Sequence, residues 1–302
     1  MEKREIVHIA KIGEKREKTF NFSPFCGIIN YIRNKTNLIQ MLDFTVFVHI
    51  SKCIKIVQVK RRIPDEKYSL LDAAKLLFTN KYYVMICATY ILQQIYTAML
   101  NMGIYYMTYI LFNENLYGVF SWAINIPLII ALLITPMLVE KWRGMYKLNL
   151  TGYVIGTIGR ALVVVAGYLG SVPLMLLFTG IAAFGMGPWQ GDMNAVIASC
   201  SEYTYLTKHK RVDGTMYSCT SLGIKLGGGI GIAITGWLLD FSGFDGTLAV
   251  QSDSCIQMLQ IMYLWIPVVI TLIITVIMAK MNVEKANEKL LQEKSMKDGM
   301  HD

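Results

Sequence analysis

Leu116 to Val139 reads LYGVFSWAINIPLIIALLITPMLV, twenty-four residues without one charged side chain. At 1.5 Å per residue a helix of that length reaches about 36 Å, more than the roughly 30 Å of a bilayer core. Working outward, five more stretches have the same character. Residues 82–112 carry no charge, nor do 258–279. Residues 148–170 carry Arg160, 172–201 carry Asp192, and 214–241 enclose Lys225. In lipid only helices and closed barrels satisfy every backbone group. These runs are too long and too continuously apolar for barrel strands, so they read as helices. The predicted fold class is an all-α membrane protein with six transmembrane helices.

The whole composition agrees. Hydrophobic residues make up 54% of the 302-residue chain and charged residues only 17%, against about a quarter in soluble domains. A compact soluble fold of this size cannot hide so much apolar surface. This argues against a soluble enzyme. It also argues against a nucleic-acid binder, despite a net charge of +8 and a pI near 9.0.

The charge follows topology instead. The loop after the second helix holds Lys141, Arg143 and Lys147, and the loop after the fourth holds Lys208, Lys210 and Arg211. The alternate loops, near 113–117, 170–173 and 242–257, hold no Lys or Arg. Cationic loops stay in the cytoplasm. The expectation is a multi-pass protein of the plasma membrane, surrounded by lipid, with both termini cytoplasmic.

Four regions follow. Residues 1–59 form an N-terminal segment of uncertain character, possible remnant of something longer, whose 38–59 stretch carries Asp43, His49, Lys52 and Lys55. Residues 60–81 read as a basic linker with Lys60, Arg61, Arg62 and Lys67, leading into an interfacial helix over 65–81. The six helices occupy 82–280. Residues 281–302 read as a charged cytoplasmic tail, a short solvated helix.

No motif points to catalysis. The six cysteines are widely and irregularly spaced without a CxxC, and the four histidines form no HExxH. There is no Ser/His/Asp set, no pair of catalytic carboxylates and no metal cluster. The chain reads as neither an enzyme nor a metal or cofactor protein.

Three charges lie deep in the apolar spans, where each costs about 2.5–3.5 kcal/mol at the bilayer centre. Counting from the cytoplasmic ends of their helices, Arg160, Lys225 and Asp192 lie roughly 18, 16 and 15 Å deep. Two readings follow: an internal ion pair of Asp192 with Arg160 or Lys225, or a polar cavity that binds substrate. The segment Gly185-Met-Gly-Pro-Trp-Gln-Gly-Asp-Met-Asn194 favours a cavity. Its glycines and proline are expected to break the helix there. Trp189, Gln190, Asp192 and Asn194 then surround the break, a set that suits a sugar's apolar faces and hydroxyl edges. Gly223, Gly227 and Gly231 form a ladder for close helix packing, with Lys225 inside it.

One longer pattern is more specific. Ala198 to Ser201 leads into Glu202-Tyr203, followed by Arg211, Asp213-Gly214, Ser218 and Lys225-Leu226-Gly227. This spacing resembles the signature between helices ten and eleven of the glycoside–pentoside–hexuronide:cation symporters, the melibiose-permease-like branch of the major facilitator superfamily. The lead-in from Ser69 to Asn80 resembles that family's entry into helix seven. The resemblance covers about 65–280 and implies helices seven to twelve of a twelve-helix transporter. It implies uptake of a sugar or glycoside coupled to Na⁺, H⁺ or Li⁺ by alternating access. Lys225 matches a cavity lysine near sugar and cation. Arg143, Glu202 and Arg211 match the cytoplasmic gate. Gln93, Gln94 and Asn125 are expected to add hydrogen bonds to the sugar. The chain departs from the pattern at Ser199 and Tyr205, where the family has acids. The family's cation-site carboxylates lie in its other half, which implies a second six-helix half or a homodimer as partner. Two other readings stay open: an inactive truncated remnant, and a membrane interaction or scaffold subunit assembled through the glycine ladder.

Overall fold

In a computed structural model the chain is described over residues 75–298, except 76, 211, 212 and 249. The segment 1–59, most of the interfacial helix expected over 65–81, and Arg211 lie outside the described residues.

Every regular element among the described residues is helical. In chain order these are α1 (Lys81–Asn101), α2 (Gly103–Tyr109), α3 (Leu116–Trp142), α4 (Met145–Tyr168) and α5 (Val172–Lys208). Then come α6 (Asp213–Met216), α7 (Ser218–Phe241), α8 (Asp253–Gln260), a π turn (Ile261–Trp265), α9 (Ile266–Lys280) and α10 (Val283–Asp298). They make six spans long and apolar enough to cross a membrane. The bundle's outer surface is apolar, with Ile130, Leu133, Ile232, Trp237 and Phe241 all exposed. Lipid is the solvent such a surface fits.

Two spans differ in detail from the expected ones. The first is interrupted at Met102, between α1 and α2. Gly103 follows, and a Cβ there would lie 2.9 Å from the Tyr263 ring. Glycine weakens the helix and at the same time admits the ring. The last span starts earlier than 258, at Asp253, and carries the π turn. Pro267 supplies no N–H to the carbonyl of Tyr263, its i−4 acceptor, so regular α bonding cannot continue there.

Glycine decides how the helices pack. Helix α5 lies against both α3 and α4, α7 runs along α1, and α9 bridges α4 and α1. A Cβ on Gly185 would stand 2.6 Å from the Gly152 carbonyl oxygen and 2.7 Å from the Gly156 nitrogen. On the other side of α5, Gly187 abuts Ala131, and a Cβ on Gly191 would lie 3.2 Å from Thr135. On α7, Gly223 abuts Tyr90, Gly227 meets Ile91 and Gln94, and Gly231 meets Ala98. Small residues let helices in lipid approach this closely.

The expected break at 185–194 does not occur. Helix α5 is continuous through Gly185 and Pro188 for 37 residues. Its glycines are consumed by contacts with α3 and α4, and Pro188 removes only one ladder bond.

The ends of the bundle are tied by polar side chains. Asn80 caps α1, accepting from the Tyr82 and Tyr83 amides, and donates to the Cys200 carbonyl and Thr204 Oγ1 on α5. The tail is not wholly solvated either. Glu284, at the start of α10, accepts from the backbone amides of Met145 and Tyr146 at 2.9 and 3.0 Å. A carboxylate at the positive end of α4 satisfies two orphan donors. Val283 is buried beside it, and Asn287 donates to the Ser199 carbonyl at 2.8 Å.

Candidate functional site

The three membrane-embedded charges take separate places. Asp192 is buried on α5 and accepts from Asn149 Nδ2 at 2.9 and 3.0 Å. Arg160 is 1% exposed on α4. Its Nη2 lies 3.5 Å from the Tyr263 carbonyl oxygen that Pro267 leaves without its usual donor. Its guanidinium stands 5.6 Å from the Tyr96 ring centre and 5.9 Å from that of Tyr263, both close enough for cation–π attraction. Lys225 is exposed on α7.

The expected ion pair of Asp192 with Arg160 or Lys225 is therefore not formed. Asn149 and Arg160 are eleven residues apart on α4, about 16 Å along its axis. Helix α5 runs on to Lys208, so Asp192 comes level with the start of α4 rather than its middle. Depths counted from hydropathy boundaries share no common zero.

A small cleft, open in part, lies between α1, α3, α4 and α5. Gln93 and Tyr96 come from α1, Leu128 from α3, Arg160 from α4, and Thr179 and Gln190 from α5. Tyr153 Oη donates to Gln93 Oε1 at 2.9 Å and fixes that amide. Arg160 Nε and Thr179 Oγ1 are buried without a hydrogen-bond partner. The cleft thus joins aromatic and aliphatic walls to a few polar groups, the usual make-up of a small-molecule site.

Of the residues singled out in the sequence, the cleft brings together Gln93, Arg160 and Gln190. Trp189 lies elsewhere. It is 1% exposed, packs edge-on against Tyr153, and lines a second cavity with Met145, Asn149, Met278 and Glu284. Gln94 packs against Gly227. Asn125 is exposed and donates to the Ser121 carbonyl within its own helix. Asn194 is exposed, and its carbonyl accepts from Tyr217 Oη. Arg143 ends α3 in a left-handed conformation, exposed. Glu202 is half-buried near the end of α5. Thr179 and Tyr153 escaped the sequence reading. Thr179 is the lone polar side chain in VPLMLLFTGIAAFGMG, a weak signal that was available.

Among the described residues no three His, Cys, Asp or Glu side chains gather as a metal site. Cys87, Cys200, Cys219 and Cys255 are free and buried.

Six membrane-crossing spans, four of which meet at a polar cleft, make a multi-pass membrane protein. A family model described as MFS/sugar transport protein matches residues 29–285, and the chain belongs to that family. The match begins well upstream of residue 65, the start of the resemblance visible in the sequence. The chain is similar to an isoprimeverose transporter of Lactiplantibacillus pentosus, 23% identical over 259 residues. The alignment covers 85% of this chain and 52% of the relative, so the chain spans about half the length of that curated protein.

Proposed function

We propose that this chain forms one six-helix half of a sugar:cation symporter of the plasma membrane. The observation that carries this is the cleft, where Gln93 and Gln190 meet beside Tyr96 and Arg160. Amides and aromatic rings suit a sugar, whose hydroxyls both donate and accept and whose ring faces are apolar. No covalent step is needed; the protein binds, moves and releases. A second six-helix half, from another polypeptide segment or a second copy of this chain, faces the first. Alternating access then rocks the two halves about a site near the midplane. The solute crosses with Na⁺, H⁺ or Li⁺. Lys225 projects from α7 as a mobile charge whose position responds to substrate and cation. Arg143, Glu202 and Arg211 belong to the gate at the basic end, which faces the cytoplasm.

The test is counterflow of labelled sugars into proteoliposomes holding the full chain, with Na⁺ on both sides. The expected result is saturable exchange, lowered about tenfold or more by Gln190→Ala, the loss of one or two good hydrogen bonds. Lys225→Ala retains insertion and loses concentrative uptake. Absence of exchange in inserted, helical protein would overturn transport by this chain alone.

A further inference from the structure

We propose that Cys87 on α1 and Cys219 on α7 are a redox-sensitive thiol pair, which a peroxide oxidises to a disulfide that staples the two helices. The inference stands apart from the transport reading and needs only the packing of α1 on α7.

The glycine ladder fixes the pairing. Gly223 abuts Tyr90, Gly227 meets Ile91 and Gln94, and Gly231 meets Ala98. The two helices therefore run parallel, advancing one turn for one turn. One turn before Gly223 stands Cys219, and the matching position on α1 falls at Ile86 and Cys87. A polar contact marks the other side, where Tyr83 Oη and Ser218 Oγ lie 3.4 Å apart. Cys87 and Cys219 are thus bracketed by contacts before and after them. Both are free and buried, at 6% and 0% exposure, in one apolar core. The backbones also come close. A Cβ on Gly227 would lie 2.8 Å from the Ile91 Cα, and ordinary disulfides span about 4.4–6.8 Å between Cα atoms.

Apolar burial alone makes a thiol inert. Here two donors converge on the Cys87 sulfur, the Cys219 S–H and the Tyr83 O–H. That arrangement makes Cys87 the attacking sulfur and Cys219 the thiol that resolves it. Cys87 stands six residues into α1, about 9 Å along its axis, and Cys219 lies in the first turn of α7. The pair is therefore near an end of the bundle, within reach of a small uncharged oxidant. The Cys87 sulfur attacks one oxygen of hydrogen peroxide; an S–O bond forms and the O–O bond breaks. The displaced hydroxide takes the thiol proton and leaves as water. The Cys219 sulfur then attacks the sulfenic sulfur, the S–O bond breaks, and its proton leaves with the hydroxyl as a second water. Two thiols lose two electrons and the peroxide gains them. Disulfides facing the cytoplasm are usually transient and redox-sensing, and this one holds α7 at the foot of its ladder while it lasts.

The experiment treats the full chain in lipid nanodiscs with hydrogen peroxide, quenches it with catalase and denatures the protein. Free thiols are counted by maleimide mass shift, and bridged peptides are mapped by mass spectrometry. The expected result is a link between Cys87 and Cys219 within one chain, with two of the six thiols lost through it. Dithiothreitol restores both. Cys87→Ala or Cys219→Ala removes the link, and Cys255→Ala, at the other end of the bundle, leaves it in place. The peptide map uses the unaltered chain, so it decides the matter even where a variant does not fold. Absence of the link overturns the pair, whether the thiols stay free, Cys219 bridges to Cys200 instead, or Cys87 runs on to the sulfinic acid.

Discussion

Asn149 sets the state in which Asp192 sits within the membrane. Its Nδ2 reaches both carboxylate oxygens, while its own Oδ1 has no partner. The amide therefore contributes more as a donor than it receives. Replacing it with an apolar residue strands a buried carboxylate, and an unpaired buried polar group costs about 1–3 kcal/mol, more when charged. Asn149→Leu is expected to destabilise the protein by about 2–3 kcal/mol by that reckoning. Asp192→Asn, which keeps an acceptor and removes the charge, costs less. The double change Asn149→Leu with Asp192→Leu recovers part of the loss, because apolar replacement of both partners is often well tolerated. Thermal unfolding of the purified protein orders the three variants. If Asp192→Asn proves the most damaging, the carboxylate has another essential partner and this account of it is wrong.

Helices in this bundle are registered by absent side chains, and α7 offers a clean contrast. A Cβ on Gly227 would lie 2.8 Å from both Gln94 Cβ and the Ile91 backbone, whereas one on the adjacent Gly228 meets nothing within 4 Å. Gly227→Ala must push α7 off α1, at the roughly 1–3 kcal/mol typical of overpacking. Gly228→Ala adds helix propensity and is expected to be neutral or to gain up to about 1 kcal/mol. The surviving monodisperse fraction after stepwise heating separates them; similar losses from both would remove the ladder's role in packing. The six spans were legible in the sequence because uncharged runs of about twenty residues admit almost no other solution in lipid. The Met102 interruption was not legible, since no proline or charge marks Asn101-Met102-Gly103. The glycines of 185–191 were visible, but a sequence does not say which neighbour uses a missing Cβ. For the same reason Gln93 and Gln190 could be nominated for the cleft while Tyr153 and Thr179 could not. Their place depends on how α4 slides along α5, and that register is set by Gly152, Gly156 and Gly185.

At the scale of the molecule, charge divides the two ends of the bundle. Lys141 lies in the last turn of α3, Arg143 caps it, and α5 ends on Lys208. At the other end the α7–α8 connection holds Asp245, whose carboxylate accepts from the Thr247 amide and hydroxyl, and no Lys or Arg. Those two bonds hold the Asp245 carboxyl below its ordinary range, so that end stays anionic under mildly acidic conditions. Short loops with this bias orient a membrane protein with the cations inside. Cysteine labelling tests the orientation directly. Cys87, Cys200, Cys219 and Cys255 are buried, and with Cys26 and Cys53 they are replaced by serine or alanine to give a silent background. Lys141→Cys and Gly246→Cys then place one thiol at each exposed end. A membrane-impermeant maleimide on intact cells is expected to label Gly246→Cys and to reach Lys141→Cys only after permeabilisation. The reverse pattern would turn the bundle over, putting the Glu284 clasp on α4 and the basic loops outside the cell, and the gate assigned to Arg143 and Glu202 would face the wrong compartment.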